Sequence, residues 1–240
     1  MKVFSLWIGE LTELEIFSIN SFLKLGIEYE LYSYKKLKNV PEGTIECDAN
    51  QVLPEKDIFQ VREFNNNKNK LTFATFSDLW RYKKLYEDGG IWVDLDIIAS
   101  KNILKLDSVS VFISSENNTT SNNNPVNCLI KLEKKSYFAK ELYEKSLVMD
   151  KYYHYSLLRL FRSLVIKHNL SVASYNLISI IDYEDINKLK KNPISSIVEN
   201  QELLNECYAI HLCNTRWKKR PVLKGFQLTN KLNEIYDSIN

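Results

Sequence analysis

Asp94 and Asp96 stand two residues apart, directly after the apolar run Ile91-Trp92-Val93. On an extended backbone, residues two apart point to the same side. Two carboxylates on one side repel each other unless a cation lies between them. A hard divalent ion with oxygen ligands is the natural partner, and it keeps positions open for phosphate oxygens. In open α/β sheets, ligands bind beyond the carboxyl ends of strands, which is where this pair falls. A bare Asp-x-Asp is short and by itself reads more readily as a polar strand end with no ligand, so its surroundings carry the weight.

Upstream, Asp78 and Arg81 lie three apart in a segment with helical spacing, so they share one face. They either pair only with each other or point at a sugar, with Asp78 accepting from hydroxyls and Arg81 donating. Near the other end, Cys207, His211 and Cys213 share parity on a late apolar segment. A structural zinc site needs four ligands in tetrahedral array, and only three are local. They read as small buried thiols beside a histidine. His154 and His168 read as ordinary surface or core histidines. The basic run Lys218-Lys219-Arg220 either adds positive charge near a phosphate or is a solvated patch.

The elements that must position these residues follow from apolar periodicity. Residues 3–8 read as a strand closed by Gly9, residues 11–25 as a helix stopped by Gly26, and residues 29–34 as a second strand. The chain thus opens as βαβ, the start of a parallel α/β sheet. Residues 39–70 are polar and irregular, and read as loops with short helical pieces. Residues 73–88 form a helix with Leu79, Tyr82, Leu85 and Tyr86 as its buried stripe, stopped by Gly89-Gly90. Residues 91–93 are the strand that delivers the acid pair. Further strands are expected at 109–114, 126–132 and 208–212, with a polar loop at 116–125. Helices are expected at 137–149, 156–167 and 226–239. No internal repeat and no linker divides the chain, so residues 1–240 read as a single domain.

Composition excludes several classes. The chain has 32 Lys and Arg against 30 Asp and Glu, a net charge of +2, which gives no electrostatic case for nucleic acid. Four cysteines without a CxxC do not form a disulfide framework and fit a reducing compartment. The first apolar run stops at Gly9-Glu10, short of a signal peptide's apolar region. No stretch of about 20 apolar residues exists to span a membrane. A cytoplasmic location is therefore expected. The segment Ser156–Lys167 carries Leu157, Leu158, Phe161, Leu164 and Val165 on one face. It reads as a core helix, or else as a peripheral contact with the inner face of the cell membrane.

The stretch from Ser77 to Asp96, SDxxRxxxLYxxGGIWxDxD, resembles the DxD-motif sugar transferases of the family 32 type. That group includes bacterial capsule and lipopolysaccharide transferases and is similar to the clostridial glucosylating toxins. Two further blocks resemble it in the same order. One is Leu6-Trp7-Ile8-Gly9 followed by Leu14-Glu15 and Ser18-Ile19-x-Ser21-Phe22. The other is Ala209-Ile210-His211-Leu212-Cys213-Asn214-Thr215-Arg216-Trp217. The resemblance implies a GT-A fold, a Rossmann-like mixed sheet flanked by helices. It implies an enzyme moving a hexose from a nucleotide-sugar donor to a glycan or lipid-linked glycan acceptor in bacterial surface polysaccharide synthesis, with retention, and with Mn²⁺ or Mg²⁺ as cofactor. Carried over, it has Asp94 and Asp96 meet the ribose and the metal, with His211 or Asn214 completing the metal shell. Trp7 stacks near the base, Asp78 and Arg81 hold the donor sugar, and Trp217 touches the diphosphate. Asn127, Asn214 and Lys218 join the expected donor-binding set.

Two departures bear on the sugar and acceptor. Many members carry a Gly-Pro pair where this chain reads His154-Tyr155-Ser156, and residues 117–124 are unusually rich in asparagine. The donor is expected to be UDP-galactose or UDP-glucose, with GDP-mannose as the alternative, because stacking on a tryptophan tolerates any base. Two other classes stay open at this point. A phosphatase would use the first Asp of Asp-x-Asp as nucleophile, but that pair normally follows a first strand. A non-catalytic module would bind sugar nucleotides or glycans on the same fold.

Overall fold

A computed structural model describes residues 1–63, 70–118, 121–150, 155–178, 205–212 and 226–240. The central sheet has six strands in the order β3-β2-β1-β6-β9-β8. These are β1 (Lys2–Trp7), β2 (Glu28–Ser33), β3 (Ile45–Asp48), β6 (Gly90–Val93), β8 (Phe112–Asn118) and β9 (Ser121–Leu132). β3, β2, β1 and β6 run parallel, while β9 runs antiparallel to both β6 and β8. Two small antiparallel pairs lie outside this sheet. One joins β4 (Val61–Glu63) to β5 (Lys70–Thr72), and the other joins β7 (Ile97–Ala99) to β10 (Ala209–His211). The helices are α1 (Glu13–Leu23), α2 (Ala74–Asp88), α3 (Tyr137–Val148), α4 (Ser156–Lys167) and α5 (Phe226–Ile239).

The opening βαβ unit is as expected. Val3, Phe4 and Leu6 of β1 are buried on alternating sides, as in a central parallel strand covered on both faces. α1 starts at a capping box, in which the Thr12 backbone N–H and hydroxyl both donate to the Glu15 carboxylate. α2 buries Phe76, Leu79, Trp80, Tyr82 and Leu85 along one stripe. Trp80 is the centre of that contact, its ring 5.0 Å from Tyr32 and 6.1 Å from Trp92. Gly89 ends the helix at φ 69°, and a Cβ there would meet the Lys134 backbone nitrogen at 2.5 Å. Only glycine allows α2 to turn straight into β6, which carries the acid pair.

Two expectations need correction, and two further elements were not expected. Residues 116–118 and 121–125 belong to the paired strands β8 and β9 rather than to a loop. Their polar run shows no apolar alternation, so the strand period is invisible there, and β8 is the sheet edge. Residues 39–70 contain β3 and the first strand of the β4–β5 pair among their loops. β7 follows the acid pair directly and was not anticipated. Its three apolar residues are too short a run to carry a period. Residues 101–108 form a 3₁₀ segment whose buried residues are Ile103 and Leu106.

α4 turns Leu157, Leu160, Phe161, Leu164 and Val165 into the core, where the Phe161 ring stacks on Tyr82 with centroids 6.2 Å apart. Leu158 is only partly buried against the same cluster. The apolar face offered for a membrane is therefore packed against protein. Among the described residues, no helix is long and apolar enough to cross a membrane.

Candidate metal and donor site

The acid pair lies in the turn between β6 and β7. The Asp94 N–H donates to the Cys128 carbonyl of β9 at 2.7 Å, and the Ile97 N–H closes the turn onto the Asp94 carbonyl at 3.2 Å. Asp94-Leu95-Asp96 is thus not extended, contrary to the strand-end geometry expected. The two side chains nonetheless converge, because the chain folds back into β7.

β7 is held on both sides. β10 pairs with it so that His211 faces Ile97, and the Leu212 N–H donates to the Asp96 carbonyl at 2.9 Å. On the other side α1 supplies hydroxyls where a sheet would supply backbone groups. Ser18 Oγ donates to the Ile97 carbonyl at 2.6 Å, and the Ala99 N–H donates to Ser21 Oγ at 3.0 Å. The outcome is a cluster of Asp94, Asp96 and His211 whose ligand atoms all lie within 4.8 Å of one another. His211 Nε2 is 3.4 Å from Asp96 Oδ1. Two carboxylates and an imidazole are oxygen and nitrogen donors that could hold a divalent cation, and the mutual repulsion of the acids favours a cation between them.

Arg81 joins this cluster to Asp78. Its Nη1 lies 3.1 Å from Asp94 Oδ1, and its Nη2 lies 3.4 Å from Asp78 Oδ1. Nη1 also donates to the Asn127 backbone carbonyl at 2.5 Å, and the guanidinium stands 4.2 Å over the Trp92 ring. The Arg81 side chain is 6% exposed and Asp78 is 13% exposed. The two do not pair only with each other, since Asp94 is a third member. Burial works against the charge on Arg81, but the Asp94 and Asp78 carboxylates outweigh it and leave its pKa raised. Burial pushes Asp78 up to about 6, opposed by Arg81 and by a hydrogen bond from Asn127. The protein packed around Asp94 raises its pKa too, against the pull of Arg81, although 29% of that side chain still meets solvent.

Asn127 lies on β9 beside the acid turn. Its Nδ2 donates to Asp78 Oδ1 at 2.8 Å and to Tyr82 Oη at 2.9 Å. Trp7 ends β1 at the same carboxyl end of the parallel strands, partly buried, with its indole N–H donating to the Glu10 carbonyl at 3.1 Å. Asn214, Trp217 and Lys218 lie outside the described residues, as do Cys213 and His154. Cys207 is buried, and burial raises its pKa to about 11, which fits an inert thiol. His168 meets Glu141 at 2.7 Å, far along the chain from the acid pair.

Sequence reasoning missed Trp92 as a site residue. Its indole N–H donates to Asp94 Oδ1 at 2.7 Å while its ring carries Arg81. The signal was present, because Trp92 and Asp94 are two apart and share parity. Tyr82 was read only as core.

Residues 12–116 match the family model described as a glycosyltransferase sugar-binding region containing a DXD motif. That region holds Asp78, Arg81, Asp94 and Asp96 and is less than half of the 240 residues. No curated protein sequence matches the chain. Among solved structures, the apo-form glycosyltransferase GlyE of Streptococcus pneumoniae TIGR4 is similar with a TM-score of 0.51 at 11% identity. The likeness covers 98% of this chain and 63% of GlyE, so this chain spans under two thirds of that protein. The PaToxG glycosyltransferase is similar with a TM-score of 0.46 at 13% identity, over 99% of this chain and 85% of that one. The fold is a GT-A-like mixed sheet flanked by helices. The matched region and the fold together support a glycosyltransferase.

Proposed function

We propose that this chain transfers a hexose from a UDP-sugar to a glycan acceptor, with a divalent cation held by Asp94, Asp96 and His211. One observation carries the reading. Two carboxylates and a histidine from separate parts of the chain converge within 4.8 Å, and Arg81 ties this cluster to Asp78. A divalent ion bound there would offset the negative charge that develops on the leaving nucleoside diphosphate.

The remaining roles belong to the protein. Asp78 accepts from hydroxyls of the donor sugar, and Arg81 keeps Asp78 and Asp94 charged and in place. Trp7 offers its ring to the base at the end of β1. Asn127 contributes to the sugar grip, and Asn214, Trp217 and Lys218 are donor-binding residues by the resemblance of their segment. A metal-held diphosphate favours a nucleoside diphosphate sugar over a CMP sugar, which has one phosphate. UDP-galactose or UDP-glucose is the donor, the anomeric configuration is retained, and the acceptor is a growing bacterial surface glycan. The donor assignment rests on Trp7 and on the resemblance of its strand to UDP-sugar users.

A thermal-shift screen of UDP-, GDP- and CMP-sugars with Mn²⁺ tests the donor class, since a ligand that binds only the native state raises the melting temperature. UDP-hexoses should give the largest rise. A larger rise with GDP-mannose would replace the donor, and no rise with any nucleotide sugar would remove the proposal.

A further inference from the structure

Among the fully buried aromatic side chains of α2, Tyr82 carries a hydroxyl, and it does not simply disappear into apolar surroundings. Tyr82 is fully buried. Its Oη donates to the Leu157 carbonyl in the first turn of α4 at 3.3 Å and accepts from Asn127 Nδ2 at 2.9 Å. A side-chain amide has two N–H hydrogens and one carbonyl oxygen. Both hydrogens of Asn127 are accounted for, one by Tyr82 and one by the Asp78 carboxylate at 2.8 Å. A carboxylate accepts and cannot donate when ionised, so the nitrogen end of the amide must face Asp78 and Tyr82. The oxygen end is therefore turned away from both. Among the described residues, no donor reaches Asn127 Oδ1, and the residue keeps 9% of its surface exposed.

We propose that Tyr82 is a positioning residue for the sugar grip: its hydroxyl holds the Asn127 amide in the orientation that presents Oδ1 to a hydroxyl of the donor hexose. The inference rests on the sugar-grip reading of Asp78 and Asn127. Without the Tyr82 hydroxyl, the second N–H of Asn127 has no acceptor, and rotation about the terminal side-chain bond is soft. The amide then populates orientations in which Nδ2, a donor, replaces the acceptor. Asp78 also loses the fixed hydrogen bond that orients its own carboxylate. Arg81 is affected less, because it binds the Asn127 backbone carbonyl, which the side-chain orientation does not move. The consequence is specific to the sugar. The nucleotide, held at the acid pair and at the end of β1, does not depend on this amide.

The test measures dissociation constants of UDP and of UDP-glucose or UDP-galactose by calorimetry with Mn²⁺, for wild type, Tyr82→Phe, Asn127→Ala, the double variant and Asp78→Asn. Tyr82→Phe should weaken UDP-hexose binding by about three- to tenfold, the range of one hydrogen bond, and leave UDP binding unchanged. In the Asn127→Ala background the same substitution should have no further effect on UDP-hexose, because the two residues act as one unit. Equal weakening of UDP and UDP-hexose, or the same weakening in both backgrounds, would mean that Tyr82 only supports the core, and would overturn the inference. Asp78→Asn separates the two levels. If it weakens UDP-hexose binding and Tyr82→Phe does not, the role of Tyr82 falls alone. If it does not, the sugar grip itself falls and the inference falls with it.

Discussion

Arg81 of α2 and Asp94 of the acid turn form an ion pair of 3.1 Å in which the arginine side chain is only 6% exposed. The pair couples the helix to the strand end, so stability and chemistry share a residue. Breaking a buried pair by removing one partner leaves an uncompensated charge and costs about 3–5 kcal/mol. Here removal of Arg81 orphans both Asp78 and Asp94. Arg81→Met should therefore lower unfolding free energy by that amount in urea titrations run with chelator present. Arg81→Lys should recover only part of it, since one ammonium cannot reach both acids and the Asn127 carbonyl with a planar fork. A loss below about 1 kcal/mol for Arg81→Met would mean that the pair behaves as an exposed one.

His211→Ala should weaken Mn²⁺ binding by at least about tenfold, with little change in melting temperature without metal. The imidazole lies at the short β7–β10 pair and contributes a ligand atom to the cluster rather than core area. Calorimetric titration of Mn²⁺ into the two proteins checks this. Unchanged affinity would leave the acids as the whole of the described site.

Gly89→Ala should destabilise the protein by about 1–3 kcal/mol, because the residue has φ 69° and a Cβ would stand 2.5 Å from the Lys134 nitrogen. The neighbour is backbone and cannot swing away. Urea unfolding within a few tenths of a kcal/mol of wild type would contradict the close approach of α2 and the β9–α3 connection.

Glu141 on α3 accepts hydrogen bonds from Lys167 at 2.5 Å, from Lys145 and from His168, and these hold its pKa down at about 2. A carboxylate whose folded pKa is depressed adds stability above its unfolded pKa and loses it as pH falls toward the folded one. Glu141→Gln should therefore lower the melting temperature at pH 7. The difference from wild type should shrink as pH falls from about 4.5 toward 2. A difference independent of pH would assign the effect to packing.

The parts of the fold legible in the sequence are those with a period. β1, α1, β2, α2 and β6 have apolar residues at strand or helix spacing and turn glycines at their ends, and each is found within a few residues of its expected place. α5 has the expected bounds, Phe226–Ile239. What was not legible depends on pairing between distant residues. Nothing local in Ile97, Ile98 and Ala99 announces that β10 will pair there. That pairing brings His211 to Asp96, and the sequence reached it only through resemblance. The Asn-rich stretches of β8 and β9 looked like a loop because they carry no apolar alternation. Arg81 was legible as a partner of Asp78 by spacing, but its contact with Asp94 requires the turn that Gly89 permits. Trp92 and Tyr82 were hidden by being aromatic: burial explains them fully until the single polar atom of each is followed to its partner.

The most direct test of the central claim is the release of UDP from UDP-galactose or UDP-glucose by the purified protein with Mn²⁺, with Mn²⁺ plus excess chelator, and with Asp96→Ala. Turnover should need the metal and fall at least about a hundredfold in the variant, the scale of one lost transition-state electrostatic contact. Full turnover in excess chelator would contradict it. So would GDP-mannose turning over at least about tenfold faster than either UDP-hexose, a difference of about 1.4 kcal/mol in transition-state stabilisation.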